Sequence, residues 1–185
     1  IWPGLADLRV MILGYGRIGQ AIARRLDGFE VELIGVATRA RTLDEGPIRA
    51  VHGMDELPEL LPHTDVVIAI VPLMESTKGL IDAAFLAQLP DGATVVNVAR
   101  GPVIDTEALI AECKSGRLRA GLDVTDPEPL PAGHPLWSTP GVFISHHTGG
   151  ATTAFKPRST RMLVEQVTRF TNGEPLENVV AGPHR

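Results

Sequence analysis

Cysteine is nearly missing from this sequence: Cys113 is the single one among 185 residues. One thiol allows neither an internal disulfide nor a cysteine-based metal cluster, and it fits a reducing compartment, so a cytoplasmic location is expected. Cys113 sits in a helical pattern and reads as a structural thiol. Basic residues are scattered and the formal charge is −5, which argues against nucleic acid or an anionic membrane as partner. No apolar run approaches the roughly 20 residues of a membrane span, and no signal-peptide pattern opens the chain. Repeats and low-complexity tracts are missing too. No histidine–carboxylate set has metal-ligand spacing, so no metal is expected. Nor is there an initiating methionine: the chain starts at Ile1, and its first residues read as the lead-in to a strand within a longer protein.

What is present is an ordinary globular composition, 44% hydrophobic and 21% charged, enough for one domain over residues 1–185. Strand-like and helix-like runs alternate. Strands are predicted at Val10–Leu13, Val31–Val36, Arg49–Gly53, Asp65–Val71, Ala93–Val98, Arg119–Val124 and Val142–Ser145. Helices are predicted at Ile18–Leu26, Asp55–Leu61, Ala83–Leu89, Thr106–Ser115 and, longest, Ala151–Phe170. Apolar strands without polar alternation imply that both sheet faces are covered. The β/α alternation then gives an α/β fold: a Rossmann-type, doubly wound parallel sheet in three αβα layers. Asp126–Pro140, rich in proline and glycine, reads as an irregular loop.

Gly14, Gly16 and Gly19 follow the first strand and open the first helix in the spacing GxGxxG. In that context the first glycine makes a tight turn, the second admits a pyrophosphate and the third lets helix and strand pack closely. The helix N-terminus adds N–H groups and a positive dipole end. A dinucleotide is therefore expected. An acidic residue about 20 positions on normally grips the ribose hydroxyls. Here Ala37, Thr38 and Arg39 stand in its place, with Arg41 following. A hydroxyl and a guanidinium suit a 2′-phosphate, so NADP is expected over NAD.

Three later segments carry chemistry. "VNVARGPVID" puts Arg100 after a strand, "GLDVTDPEP" puts Asp123 at a strand end and Glu128 in the loop beyond, and "FISHHTGGAT" puts His147 after a third strand. Ligands in such sheets bind beyond the carboxyl ends of the strands. Singly, Arg100 reads equally as a loop ion pair, Glu128 as a solvated carboxylate and His147 as a satisfied strand-end histidine. Together, beside a dinucleotide fingerprint, they read as catalytic. A guanidinium grips a 2-oxo acid's carboxylate and polarises its carbonyl, while a histidine, which titrates near neutrality, moves the proton and a carboxylate favours the imidazolium.

With "GYGRIGQAIA", these motifs make the chain similar to the cofactor-binding domain of the D-isomer-specific 2-hydroxyacid dehydrogenases, from about Leu8 to Val180. The resemblance implies hydride transfer between NAD(P)H and a small 2-oxo or 2-hydroxy acid, with Arg100, Glu128 and His147 as the catalytic trio. It implies that Asp123 holds the nicotinamide carboxamide and that Arg17 and Ile18 flank the pyrophosphate. Val71, Pro72 and Thr77 would line the adenosine and phosphate side, Val98 and Ala99 the nicotinamide side, and Gly149 and Gly150 would follow the histidine beside the cofactor. A homodimer is also implied, and so is a second, substrate domain to which residues 151–185 return. The sequence departs from the family pattern at His146, where proline usually precedes the histidine, and at Thr148. His146 is thus a competitor for the role of His147. His52, His63, His134 and His184 have no motif around them and read as surface or loop residues, and Trp137 reads as a loop anchor on apolar surface. The alternative to an enzyme is a cofactor-binding sensor or corepressor on the same scaffold.

Overall fold

A computed structural model describes residues 4–177 and Val179. It divides into two compact units, one ending at His147 and one starting at Thr148. The first unit holds an 8-stranded sheet. β1 (Arg9–Leu13) leads into α1 (Arg17–Leu26), and β2 (Glu32–Val36), β3 (Arg41–Thr42) and β4 (Ala50–His52) follow. After α2 (Leu57–Leu60) come β5 (Val66–Ala69), α3 (Ala83–Ala87), β6 (Thr94–Asn97), α4 (Thr106–Lys114), β7 (Arg119–Leu122) and β8 (Val142–Ile144).

The strands lie in the order β3-β4-β2-β1-β5-β6-β7-β8. All neighbours run parallel except β3 and β4. The strand order reverses between β1 and β5, the switch point where doubly wound sheets open a crevice. The two-residue β3 is an addition to the predicted elements. It is too short to leave a periodic signal and exists through its antiparallel pairing with β4.

Alternate residues of β1 enter two cores, as a strand covered on both faces requires. Met11 and Leu13 meet Leu57, Leu61, Phe85, Leu86 and Leu109 under α2, α3 and α4. Ile12 packs with Tyr15, Ala23, Ile48 and Val51 beneath α1. Cys113 lies in the larger core, where burial, helped by Glu112, pushes its thiol up to about 11. A thiol held protonated at neutral pH is a packing group.

Helix ends are capped where the sequence offers the means. Asp105 accepts from the Glu107 and Ala108 N–H groups at the start of α4, and Asp82 from Phe85 N–H at the start of α3. Arg117 donates to the carbonyls of Leu86 and Leu89 and to Glu112, tying the end of α3 to the approach to β7. The loop predicted at 126–140 contains one 3₁₀ turn, Pro135–Ser138. Trp137 departs from the expected apolar packing: its ring is exposed, and it anchors the loop by donating its indole N–H to Pro131 O. His52 differs too, since it ends β4 and pairs with Glu56 at 2.7 Å.

The second unit is one long helix, α5 (Phe155–Thr171), and its flanks. It starts later than predicted because hydrogen bonds from Ala151 N–H to Thr148 O and from Phe155 N–H to Thr152 O make turns of the preceding residues. Gly173, at φ +70°, ends the helix in the left-handed region. Val180 and the tail beyond it lie outside the described residues, as does His184. Among the described residues, no helix is long and apolar enough to cross a membrane.

Candidate active site

The glycine loop is shaped by contacts that only glycine permits. Gly14 has φ +113°, and a Cβ there would lie 2.7 Å from the backbone of Ile70, at the end of β5. The loop thus sits on the switch point. A Cβ on Gly19 would fall 2.4 Å from Gly14 O, so the third glycine lets α1 close on the turn. Gly16 is different: a Cβ there would meet nothing within 4 Å. Its bareness serves no contact inside the protein and leaves room for an outside group to reach the backbone. The N-terminus of α1 has no side-chain cap, so its first N–H groups face outward with the positive end of the dipole. Arg17 and Ile18 flank it, both exposed. This backbone fits the pyrophosphate of a dinucleotide.

Beyond β2 the two arginines separate in role. Arg41 donates from Nη2 to Tyr15 O at 2.7 Å, which ties β3 to the glycine loop. Thr38 and Arg39 are exposed and have no recorded partner among the described residues. No carboxylate stands at 37–39, where a ribose-gripping acid would sit. Val71 is buried beside Gly14, and Pro72 is exposed. Thr77 is buried and braces its own segment, donating to Pro72 O at 2.6 Å and accepting from Met74 N–H at 2.8 Å.

The other end of the rim is built by three adjacent parallel strands. Asn97, Leu122 and Ile144 are register partners at the ends of β6, β7 and β8. Arg100, Asp123 and His147 follow within three residues of those ends, which is why they share one edge. Asn97, 1% exposed, fixes the segment leading to Arg100. Its Nδ2 donates to Arg100 O and its Oδ1 accepts from Ala99 N–H, each at 3.0 Å. Ala99 is buried and Val98 half-buried. Arg100 is exposed and donates one N–H to Ala99 O, and a guanidinium carries five donors in all. Next to it, a Cβ on Gly101 would fall on Thr125 O, so the absence of a side chain lets the Arg100 loop pack against the loop that bears Glu128.

Glu128 lies between two cis X–Pro bonds, Asp126–Pro127 and Glu128–Pro129. Its Oε1 is 2.7 Å from His147 Nδ1. His146 is exposed and has no such partner. His147 has φ +56°, a left-handed conformation that histidine adopts more readily than most non-glycine residues. Its N–H donates to Asp123 O at 2.9 Å, which holds the turn in place. The structure therefore brings Glu128, His147 and Asp123 together and puts Arg100 on the same edge. Gly149 and Gly150 belong to the second unit, in the turns ahead of α5. Two contributors were assigned no role from the sequence, Asn97 and Ser145. The Ser145 hydroxyl donates to Asp123 Oδ1 at 2.6 Å. An amide and a hydroxyl within apolar strands were the only signals available to find them.

Residues 2–149 match the family model "D-isomer specific 2-hydroxyacid dehydrogenase, NAD binding domain". A glyoxylate reductase/hydroxypyruvate reductase of Homo sapiens is 34% identical over 175 residues, covering 94% of this chain and 53% of that protein. The crystal structure of a D-isomer specific 2-hydroxyacid dehydrogenase from Xanthobacter autotrophicus Py2, in complex with NADPH and MES, has a TM-score of 0.87 at 38% identity. That likeness covers 98% of this chain and 74% of the other. An NADPH-dependent glyoxylate/hydroxypyruvate reductase from Sinorhizobium meliloti, in complex with NADP and sulfate, has a TM-score of 0.87 at 30% identity, over 97% of this chain and 57% of that one. The chain spans about half the length of the curated relatives it matches. By the match over residues 2–149, with strand ends that carry the family's motifs, the chain belongs to the D-isomer specific 2-hydroxyacid dehydrogenases.

Proposed function

We propose that this chain is the cofactor-binding and catalytic-residue portion of an oxidoreductase that interconverts a small 2-oxo acid and its D-2-hydroxy acid, using NADP(H) in preference to NAD(H). The observation that carries the reading is the 2.7 Å contact between His147 Nδ1 and Glu128 Oε1, on the same strand-end rim as the glycine loop.

When bound, a dihydronicotinamide supplies hydride to the carbonyl carbon of the 2-oxo acid. Arg100 grips the acid's carboxylate and polarises its carbonyl through paired N–H donors. As charge grows on the carbonyl oxygen, His147 delivers a proton to it, and in the oxidative direction His147 takes that proton back. Glu128 accepts a hydrogen bond from the Nδ1–H of His147, which leaves Nε2 for the substrate. Asp123 would accept an N–H from the nicotinamide carboxamide. Gly16 and the start of α1, with Arg17 and Ile18, would hold the pyrophosphate. Val71, Pro72 and Thr77 shape the adenosine side, and Val98 and Ala99 the nicotinamide side, while Gly149 and Gly150 follow the catalytic histidine.

Preference for NADP is supported by the exposed Thr38 and Arg39 where an acid would otherwise stand, and by the NADPH and NADP complexes of two structural relatives. Glyoxylate and hydroxypyruvate are the first substrates to try, because the relatives are named for them. Residues 151–185 are proposed to return to a substrate domain outside this chain. A homodimer in the cytoplasm completes the reading, supported by the family resemblance and the single cysteine. The test is steady-state oxidation of NADPH and of NADH by the full-length protein with glyoxylate, hydroxypyruvate and a panel of larger 2-oxo acids. The reading expects turnover of at least one acid, faster with NADPH. Cofactor binding without turnover of any acid would overturn it in favour of a sensor.

A further inference from the structure

Ser145 is the first residue beyond β8, and two hydrogen bonds fix it. Its N–H donates to Leu122 O at 2.8 Å, continuing the β7–β8 ladder past the strand end. Its hydroxyl donates to Asp123 Oδ1 at 2.6 Å from a partly buried position. That length lies in the range of a charge-assisted O–H···O⁻ bond, among the stronger kinds in proteins. Asp123 is also held through its backbone, donating from N–H to Asn97 O at 3.0 Å and accepting at O from His147 N–H at 2.9 Å. One oxygen of the carboxylate is thus tied to Ser145, and its backbone to Asn97 and His147.

We propose that Ser145 is the positioning residue for the nicotinamide ring. By holding Oδ1 of the Asp123 carboxylate it helps aim that group at the carboxamide N–H, and through Asp123 it keeps the ring in register with His147. A carboxylate accepts at about four lone-pair positions, so the Ser145 bond does not exhaust it. The proposal rests on the reading that Asp123 receives the carboxamide. Ser145 touches neither cofactor nor substrate and acts through Asp123 alone.

The test compares two cofactors in full-length wild-type protein, Ser145→Ala and Ser145→Thr. One is NADPH, and the other is its 3-acetylpyridine analogue, whose acetyl group has no N–H to give Asp123. Each variant is referred to wild type with the same cofactor, which removes the analogue's different reduction potential. With NADPH, Ser145→Ala should lower kcat/KM about tenfold, the scale of one charge-assisted bond. With the analogue it should change kcat/KM less than twofold, and Ser145→Thr, which keeps the hydroxyl, should restore the NADPH rate. An equal loss with both cofactors would mean a structural role and overturn the proposal, as would failure of threonine to rescue. If Asp123→Ala affects the two cofactors equally, the Asp123 reading falls and takes this proposal with it, a result distinguishable from failure of Ser145 alone. In fluorescence titrations Ser145→Ala should also weaken NADPH binding several-fold and leave the analogue's unchanged, and unchanged NADPH affinity would overturn the proposal. Thermal melts verify that the comparison is made between folded proteins.

Discussion

The two ends of the strand-end rim are made in opposite ways. Around β1 and β2 the work falls to backbone: Gly14 and Gly19 permit close approach, Gly16 leaves open space, and the start of α1 offers uncapped N–H groups. Thr38 and Arg39, just beyond β2, are exposed. Around β6, β7 and β8 the groups are side chains braced by other groups. Asn97 braces the Arg100 segment, Ser145 braces Asp123 and Glu128 braces His147. On the proposed function the difference follows from the task. A pyrophosphate is held by many weak, sequence-tolerant donors, whereas proton and hydride transfer require a few groups in fixed geometry.

This contrast can be broken in stages. The largest effect belongs to the braced end. Glu128→Gln should lower kcat for reduction about 100-fold at neutral pH, within the range spanned by general acids. A kcat within a few-fold of wild type would remove Glu128 from that role.

At the backbone end, Gly16→Ala sends a methyl into space no protein atom occupies. Its melting temperature should be unchanged, while NADPH affinity falls by about 1–3 kcal/mol, roughly five- to 150-fold. Loss of stability with affinity intact would show that the space serves the fold. A smaller effect is expected from Arg39→Ala, which should weaken NADPH about tenfold and leave NADH unaltered, as for one charge-assisted contact. Equal weakening of both cofactors would break the phosphate reading.

The smallest kinetic effect is expected below the rim. Arg117→Met removes the donor to Leu86 O, Leu89 O and Glu112 and should cost about 2–3 kcal/mol of stability, with kcat little changed. Hydrogen bonding from Arg117 holds the Glu112 carboxyl below its usual range. A lowered carboxylate stabilises above its unfolded pKa and loses that contribution as pH falls through the folded one. The gap between wild type and variant should therefore narrow in acid. A gap that stayed constant in denaturant melts from neutral to acid pH would exclude the carboxylate's part.

Much of this architecture could be read from residue patterns. Periodicity located the parallel strands, and a parallel sheet carries whatever follows its strands to one edge, so Arg100, Asp123 and His147 could be grouped without coordinates. The glycine spacing worked for the same reason, being a local strand–turn–helix unit. What escaped was set by tertiary register. β3 is two residues long and exists through its partner. Arg41 follows Arg39 in the sequence, and only tertiary register shows that it bonds Tyr15 O. Ser145 and Asn97 act through partners 22 and 3 residues away, and neither has a spacing rule. α5 starts at Phe155 and not at the predicted Ala151, because turns at Thr148 and Thr152 use residues that helical periodicity would absorb.

One adjacent pair holds the central claim, because His146 and His147 differ in what they meet: His147 Nδ1 lies against Glu128 and His146 does not. The measurement is glyoxylate or hydroxypyruvate reduction by full-length His147→Ala and His146→Ala, alongside NADPH titrations of both. His147→Ala should lose about 100-fold or more in kcat with NADPH affinity within twofold of wild type, while His146→Ala stays within a few-fold on both. The reverse pattern, with His146→Ala crippled and His147→Ala active, would contradict the account.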